Sequence, residues 1–168
     1  DKGRSVPPRY PAKPGAIIVD ATGVRQIVQL EGIRALLRPA MRSLEGAGRV
    51  IILATDASAV EGLEAKAVAQ GIDGINRTVG KELRGGATSN LVFVREGTRP
   101  SDLASTLSFL LEGRSAFVDG QAWRVGQAKV SHELTAKPFA DRIVVVTGAA
   151  RGIGAAIART FARDGATV

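Results

Sequence analysis

Gly148, Gly152 and Gly154 follow the apolar run Ile143-Val144-Val145-Val146-Thr147 and open a segment that carries Ile153, Ile157 and Phe161 on one helical stripe. That spacing suits a phosphate-binding turn. One glycine lets the backbone double back after a strand, a second lets a pyrophosphate approach the main chain, and a third lets the helix pack closely on the sheet. The helix N-terminus would add unpaired N–H groups and the positive end of its dipole. The same strand–turn–helix could also stand without any ligand. Other chemistry-bearing side chains are sparse. There is no cysteine, which excludes disulfides, thiolate zinc sites, iron–sulfur clusters and a cysteine nucleophile. His132 is the only histidine, so no His-rich metal site is expected.

The elements that must position this turn can be read from periodicity. Residues 1–14 hold Pro7, Pro8, Pro11 and Pro14 among charges and read as an extended arm. Strands are expected at 16–20, 49–54 and 91–94, and helices at 24–44, 59–83 and 101–111. Pro39 should kink or break the first helix. Short strands at 116–118 and 122–125 would flank an Asp119-Gly120 turn. This alternation predicts right-handed crossovers and a parallel sheet covered on both faces. Residues 15–126 therefore form one α/β domain, doubly wound in the Rossmann or flavodoxin manner, and 127–141 a linker. At 142–168 the pattern restarts with a strand at 142–147, the glycine turn, a helix at 153–163 and a further strand from Ala166. This is the opening β-α-β of a second Rossmann domain. It is too small to bury its own core, so the sequence is expected to be a piece of a longer protein.

Composition bounds the function classes. The chain has 168 residues, 45% hydrophobic and 23% charged, which is ordinary for a globular protein. Its apolar runs fall far short of the ~18 residues of a membrane span, and no secretory signal is visible. The expected address is the cytoplasm, with no membrane partner. The net charge of +7 permits a polyanionic partner. Nucleic acid is disfavoured, because the basic residues are spread along the chain and aromatics are only 4%.

Thr147, Gly148, Gly152 and Gly154 match every fixed position of Thr-Gly-x-x-x-Gly-x-Gly, and here the chain resembles the short-chain dehydrogenase/reductase family. The strand and helix are similar to the opening of a 3-oxoacyl-ACP reductase. The resemblance implies that Gly148, Ala150, Arg151, Gly152, Ile153 and Gly154 bind NADP or NAD. Arg151 stands where a basic residue of the family commonly meets the 2′-phosphate, which leans the reading toward NADP.

The upstream domain resembles the later half of the same family. Asp20-Ala21-Thr22-Gly23 stands in place of Asn-Asn-Ala-Gly, and Gly48-Arg49-Val50-Ile51-Ile52 in place of Gly-Arg-Ile-Val. Ser89-Asn90-Leu91-Val92 and Phe117-Val118-Asp119-Gly120-Gln121 resemble two later strands. A degenerate domain before a true reductase domain is similar to the high-molecular-weight 3-oxoacyl-ACP reductases. That implies reduction of a 3-oxoacyl thioester, carried by acyl carrier protein or coenzyme A, in fatty acid biosynthesis, by a homo-oligomer. The family's chemistry needs Tyr-x-x-x-Lys on one helix face, so that the ammonium lowers the pKa of the phenol. Here Lys66 is preceded at four residues by Gly62, and the only tyrosine, Tyr10, lies in the arm. Ser58, without a tyrosine, reads as a turn or cap residue. No residue is assigned a catalytic role, and residues 15–126 are expected to be catalytically dead. The competing reading is a non-catalytic module for assembly or partner docking. The glycines Gly71 and Gly74 in the second helix would permit close helix packing in such a role; Arg34, Arg38 and Arg42 on the first could dock an acidic carrier protein, but read first as a solvated face.

Overall fold

The computed structural model describes residues 12–127 and 136–168. Most of the Pro-rich arm, with Tyr10, and the middle of the expected linker, with His132, lie outside the described residues. The chain divides into two compact units, 1–131 and 132–168.

In the first unit, four parallel strands form one sheet in the order β1 (Ala16–Asp20), β2 (Arg49–Ala54), β3 (Thr88–Val94), β4 (Ala122–Val125). β2 and β3 are central and buried on both faces, so they read as nearly unbroken apolar runs. β3 begins at Thr88, three residues before the expected start. Its first turn of chain is polar but buried: Ser89 Oγ donates to Asn76 Oδ1 at 2.8 Å, and Asn90 Nδ2 donates to the Val118 carbonyl at 2.8 Å. Polarity hid the strand from the pattern, and satisfied hydrogen bonds permit it.

Alternation along the strands gives each face its own core. Val50, Ile52, Leu91 and Phe93 point to the face covered by α1 (Leu30–Ala40) and α2 (Leu63–Glu82), meeting Ile33, Leu37, Val68 and Ile72. Ile51 and Val92 point to the opposite face, where α3 (Pro100–Leu111) contributes Leu110. All three connections step the same way across the sheet, yet α1 and α2 lie on one face and α3 on the other. The third crossover therefore has the opposite hand to the first two. This corrects the expectation of right-handed crossovers throughout.

Three local departures have identifiable causes. Pro39 is accommodated inside α1, which then tightens at once into the 3-10 turn Met41–Ser43, as a missing N–H dictates. α2 starts at Leu63 rather than Ala59, because Asp56 captures the Ser58 N–H at 2.9 Å and closes a separate 3-10 turn, Ala57–Ala59. The strand expected at 116–118 does not form. After α3 the chain turns through Gly113–Ser115, and the Ala116 and Val118 N–H groups bond to Gly113 and Ser115 carbonyls, which takes two of the three N–H groups a ladder would use.

The second unit contains α4 (Gly152–Arg163). The strand expected at 142–147 is reduced to an isolated parallel bridge, Ile143 with Thr167, and the strand expected from Ala166 to the same bridge. Ile143 and Val145 are 85% and 87% exposed, so no flanking strand or helix consolidates a ladder there. Phe139 and Phe161 stack edge to face at 4.7 Å between centroids, pinning the chain entering the unit to α4. No helix among the described residues is long and apolar enough to cross a membrane.

Candidate cofactor site

The turn joins the bridge residues to α4 through backbone shapes that side chains oppose. Gly148 and Gly152 have φ of +68° and +62°, and nothing lies within 4 Å of where a Cβ would stand on either. A Cβ on Gly154 would lie 2.3 Å from the Gly148 carbonyl oxygen, so the helix sits directly on the turn. Ala150, Arg151, Gly152 and Ile153 are all exposed around this open backbone. Arg151 is the N-cap residue, in extended conformation, and no side chain caps the helix. The first N–H groups of α4 thus remain available to an acceptor. Of the six residues of the expected cofactor site, five are exposed around the turn and Gly154 is half-buried, which leaves the open backbone that a phosphate group would need.

The upstream unit places its chemistry-bearing residues differently. Ser58 donates from Oγ to Asp56 Oδ1 at 2.8 Å and is held as a turn residue. Lys66 is exposed on α2, and Gly62 precedes the helix at φ +83°. Beyond the carboxyl ends of β1 and β2 lies Arg25, which sequence reasoning missed. Its guanidinium donates to the Thr22 carbonyl at 2.6 Å and to Thr55 Oγ1 at 3.1 Å, tying the two strand ends together. Nothing in the spacing of Arg25 signals this, since its partners are 3 and 30 residues away. Asp20 also turns inward on its own loop, and the Thr22 hydroxyl and N–H hold its carboxyl below the usual aspartate value. Gly71 and Gly74 line a groove of about 1300 Å³ between α1 and α2, together with Arg34, Arg38 and Arg42. Arg34 is engaged by Glu31. No group of acidic, histidine or cysteine side chains among the described residues could hold a metal ion.

No family model and no curated protein matches the sequence. Solved structures do. A short-chain dehydrogenase/reductase from Brucella melitensis, described as a glucose/ribitol dehydrogenase, is 18% identical with a TM-score of 0.56, over 67% of this chain and 62% of that one. A doubly substituted short-chain dehydrogenase/reductase from Serratia marcescens is 17% identical with a TM-score of 0.50, over 59% of this chain and 51% of that one. The fold is that of the short-chain dehydrogenases/reductases. At these identities the likeness is one of fold. The chain spans about six-tenths of the length of the Brucella short-chain dehydrogenase/reductase. The expected α/β class and the expected family resemblance both agree with it.

Proposed function

We propose that the turn 148–154 binds the pyrophosphate of NADP or NAD, and that the protein carrying this chain is a short-chain oxidoreductase reducing a 3-oxoacyl thioester of acyl carrier protein or coenzyme A. The observation that carries the reading is the triple-glycine geometry: two open positive-φ positions and a helix start seated on the turn. Gly148 and Gly152 expose main chain to phosphate oxygens, and the first amides of α4 donate to them. Arg151, exposed beside Gly152, offers its guanidinium to a 2′-phosphate and so favours NADP over NAD. When bound, the nicotinamide supplies hydride to the substrate carbonyl. The thioester specificity rests on the sequence resemblance to the 3-oxoacyl-ACP reductases, as do the place in cytoplasmic fatty acid biosynthesis and the homo-oligomeric state.

The 168 residues carry no Tyr-x-x-x-Lys pair, because Pro14 stands four residues after Tyr10. Nucleotide binding without turnover is therefore expected of this chain. Titration with NADPH, followed by nicotinamide fluorescence, tests the site. Gly154→Val should abolish binding, because its side chain would meet the Gly148 carbonyl. Unchanged NADPH affinity in that variant would overturn the reading. NADPH-dependent reduction of acetoacetyl-CoA by the protein that carries this chain then tests the activity.

A second reading applies to residues 15–126 as a non-catalytic assembly domain. It is favoured by the groove between α1 and α2, whose glycine wall none of the described residues needs: a Cβ on Gly71 would make ordinary contact with Leu30, and one on Gly74 would meet nothing.

A further inference from the structure

A second pocket, of about 250 Å³, lies between α2 and β4, the last strand of the sheet, and takes in Asp56 after β2 and Phe93 of β3. Two arginines from different elements line it: Arg77 from α2 and Arg124 from β4. Each is anchored from below by a buried acid. Asp56 Oδ2 accepts from Arg124 Nε at 2.5 Å, and Asp73 Oδ2 meets Arg77 at 2.9 Å. The aspartate side chains are 7% and 9% exposed, whereas those of Arg124 and Arg77 are 56% and 65% exposed. The Phe93 ring lies under the Arg124 guanidinium, 5.3 Å from its centroid, and fixes the plane of the fork.

We propose that this pocket is an oxyanion site in which Arg77 and Arg124 together grip a phosphate group. Each arginine spends only part of its donor set on its aspartate. Arg124 keeps its terminal nitrogens, and Arg77 contributes a single short contact. A guanidinium has five N–H donors, so both retain a free two-donor edge. A tetrahedral phosphate offers oxygen pairs to two such edges at once, and a carboxylate offers one pair. Asp56 and Asp73 also line the pocket; each is paired with one arginine, and Asp73 Oδ1 accepts no hydrogen bond among the described residues. Small walls at Ala57, Ala69 and Ala122 leave room for the group. The buried aspartates are positioning residues: each accepts from one arginine and so orients its fork, as carboxylates behind a metal-bound histidine orient the ring.

The test is a titration of the full chain, labelled with ¹⁵N-arginine, with inorganic phosphate at constant ionic strength. Saturable shifts of the Nε–Hε signals of both Arg77 and Arg124 are expected, with none from chloride. Arg124→Gln should weaken phosphate binding at least about tenfold and remove the Arg77 shift, as expected for one charge-assisted partner of two. Gly154→Val should leave both shifts intact, which separates this pocket from the turn before α4. Because the Arg77 side chain is largely exposed, Arg77→Gln should keep the amide spectrum of the fold and lose the binding. The proposal is overturned by shifts that do not saturate, by equal affinity for acetate, or by phosphate binding that survives in the Arg77→Gln, Arg124→Gln double variant.

Discussion

The most demanding side chain in the first unit is Arg49. It is 4% exposed at the start of β2 and is held by carbonyl oxygens alone: Ala47 at 2.6 Å, Gly48 at 3.3 Å and Glu112 at 3.3 Å. Glu112 follows the last turn of α3, so the guanidinium sits where the helix dipole is negative. Arg49→Met keeps the length of the chain but removes the guanidinium from all three carbonyls, of which Gly48 keeps the Thr88 N–H and Glu112 keeps Ser115. A loss of about 1–3 kcal/mol is expected for the lost hydrogen bonds of a charged donor, read as a lower urea midpoint with unchanged slope. Asp56 gives a prediction in pH. The Ser58 N–H, followed by the Ser58 hydroxyl and the Arg124 guanidinium, holds its carboxyl below the usual aspartate value. A lowered native pKa stabilises the fold fully above the unfolded value of about 3.9, and that contribution fades as pH falls below it toward the native value. Asp56→Asn should therefore narrow the stability gap to wild type as pH drops from 5 to 3, measured as urea midpoints across about two pH units. A gap independent of pH would mean that the carboxylate charge plays no part.

At the scale of elements, the two faces of the sheet are unequal. The α1–α2 face buries a broad cluster, whereas the α3 face rests on Ile51, Val92 and Leu110 with partly buried neighbours. Leu110 is fully buried, so Leu110→Ala should cost about 2–5 kcal/mol. The adjacent Leu111, 39% exposed, should cost under about 1 kcal/mol when cut to Ala, as expected for a site open to solvent. Equal losses at the two positions in thermal unfolding would contradict the assignment of the α3 face. How much of this was legible follows the same physics. β1 and β2 were readable to the residue, because apolar β-branched runs bounded by Gly and Asp have few other uses. The start of β3 was not, because Ser89 and Asn90 are satisfied by Asn76 and Val118, partners 13 and 28 residues away. The opposite hand of the third crossover was invisible as well, since the amphipathic stripe of α3 fits either face. In the second unit the turn was legible from three glycines. Its strand was not realised, because a single helix cannot consolidate a ladder.

The whole molecule combines two units of very different depth. β2 and β3 place Ile51, Ile52, Leu91 and Val92 at 0% exposure, whereas in the second unit Ala155 is the one buried hydrophobic among the described residues. Amide protection tracks the free energy of opening, which runs from near zero to the global value within one chain. Amides of β2 and β3 should therefore exchange only with unfolding of the first unit, and those of α4 at least about a hundredfold faster. Exchange at a common rate would mean that the units open as one body. Ligand linkage turns this difference into a readout of function. A dinucleotide bound at 148–154 stabilises only the state that holds it, by an amount that grows with the logarithm of its concentration over Kd. NADPH at about 100 times Kd should add about 2.7 kcal/mol, slowing exchange about a hundredfold in α4 and the turn. The amides of β2 and β3 should be unmoved, because they are already limited by opening of the first unit. Slowing in β2 and β3 without slowing in α4 would place the nucleotide on the first unit and remove the turn from the site.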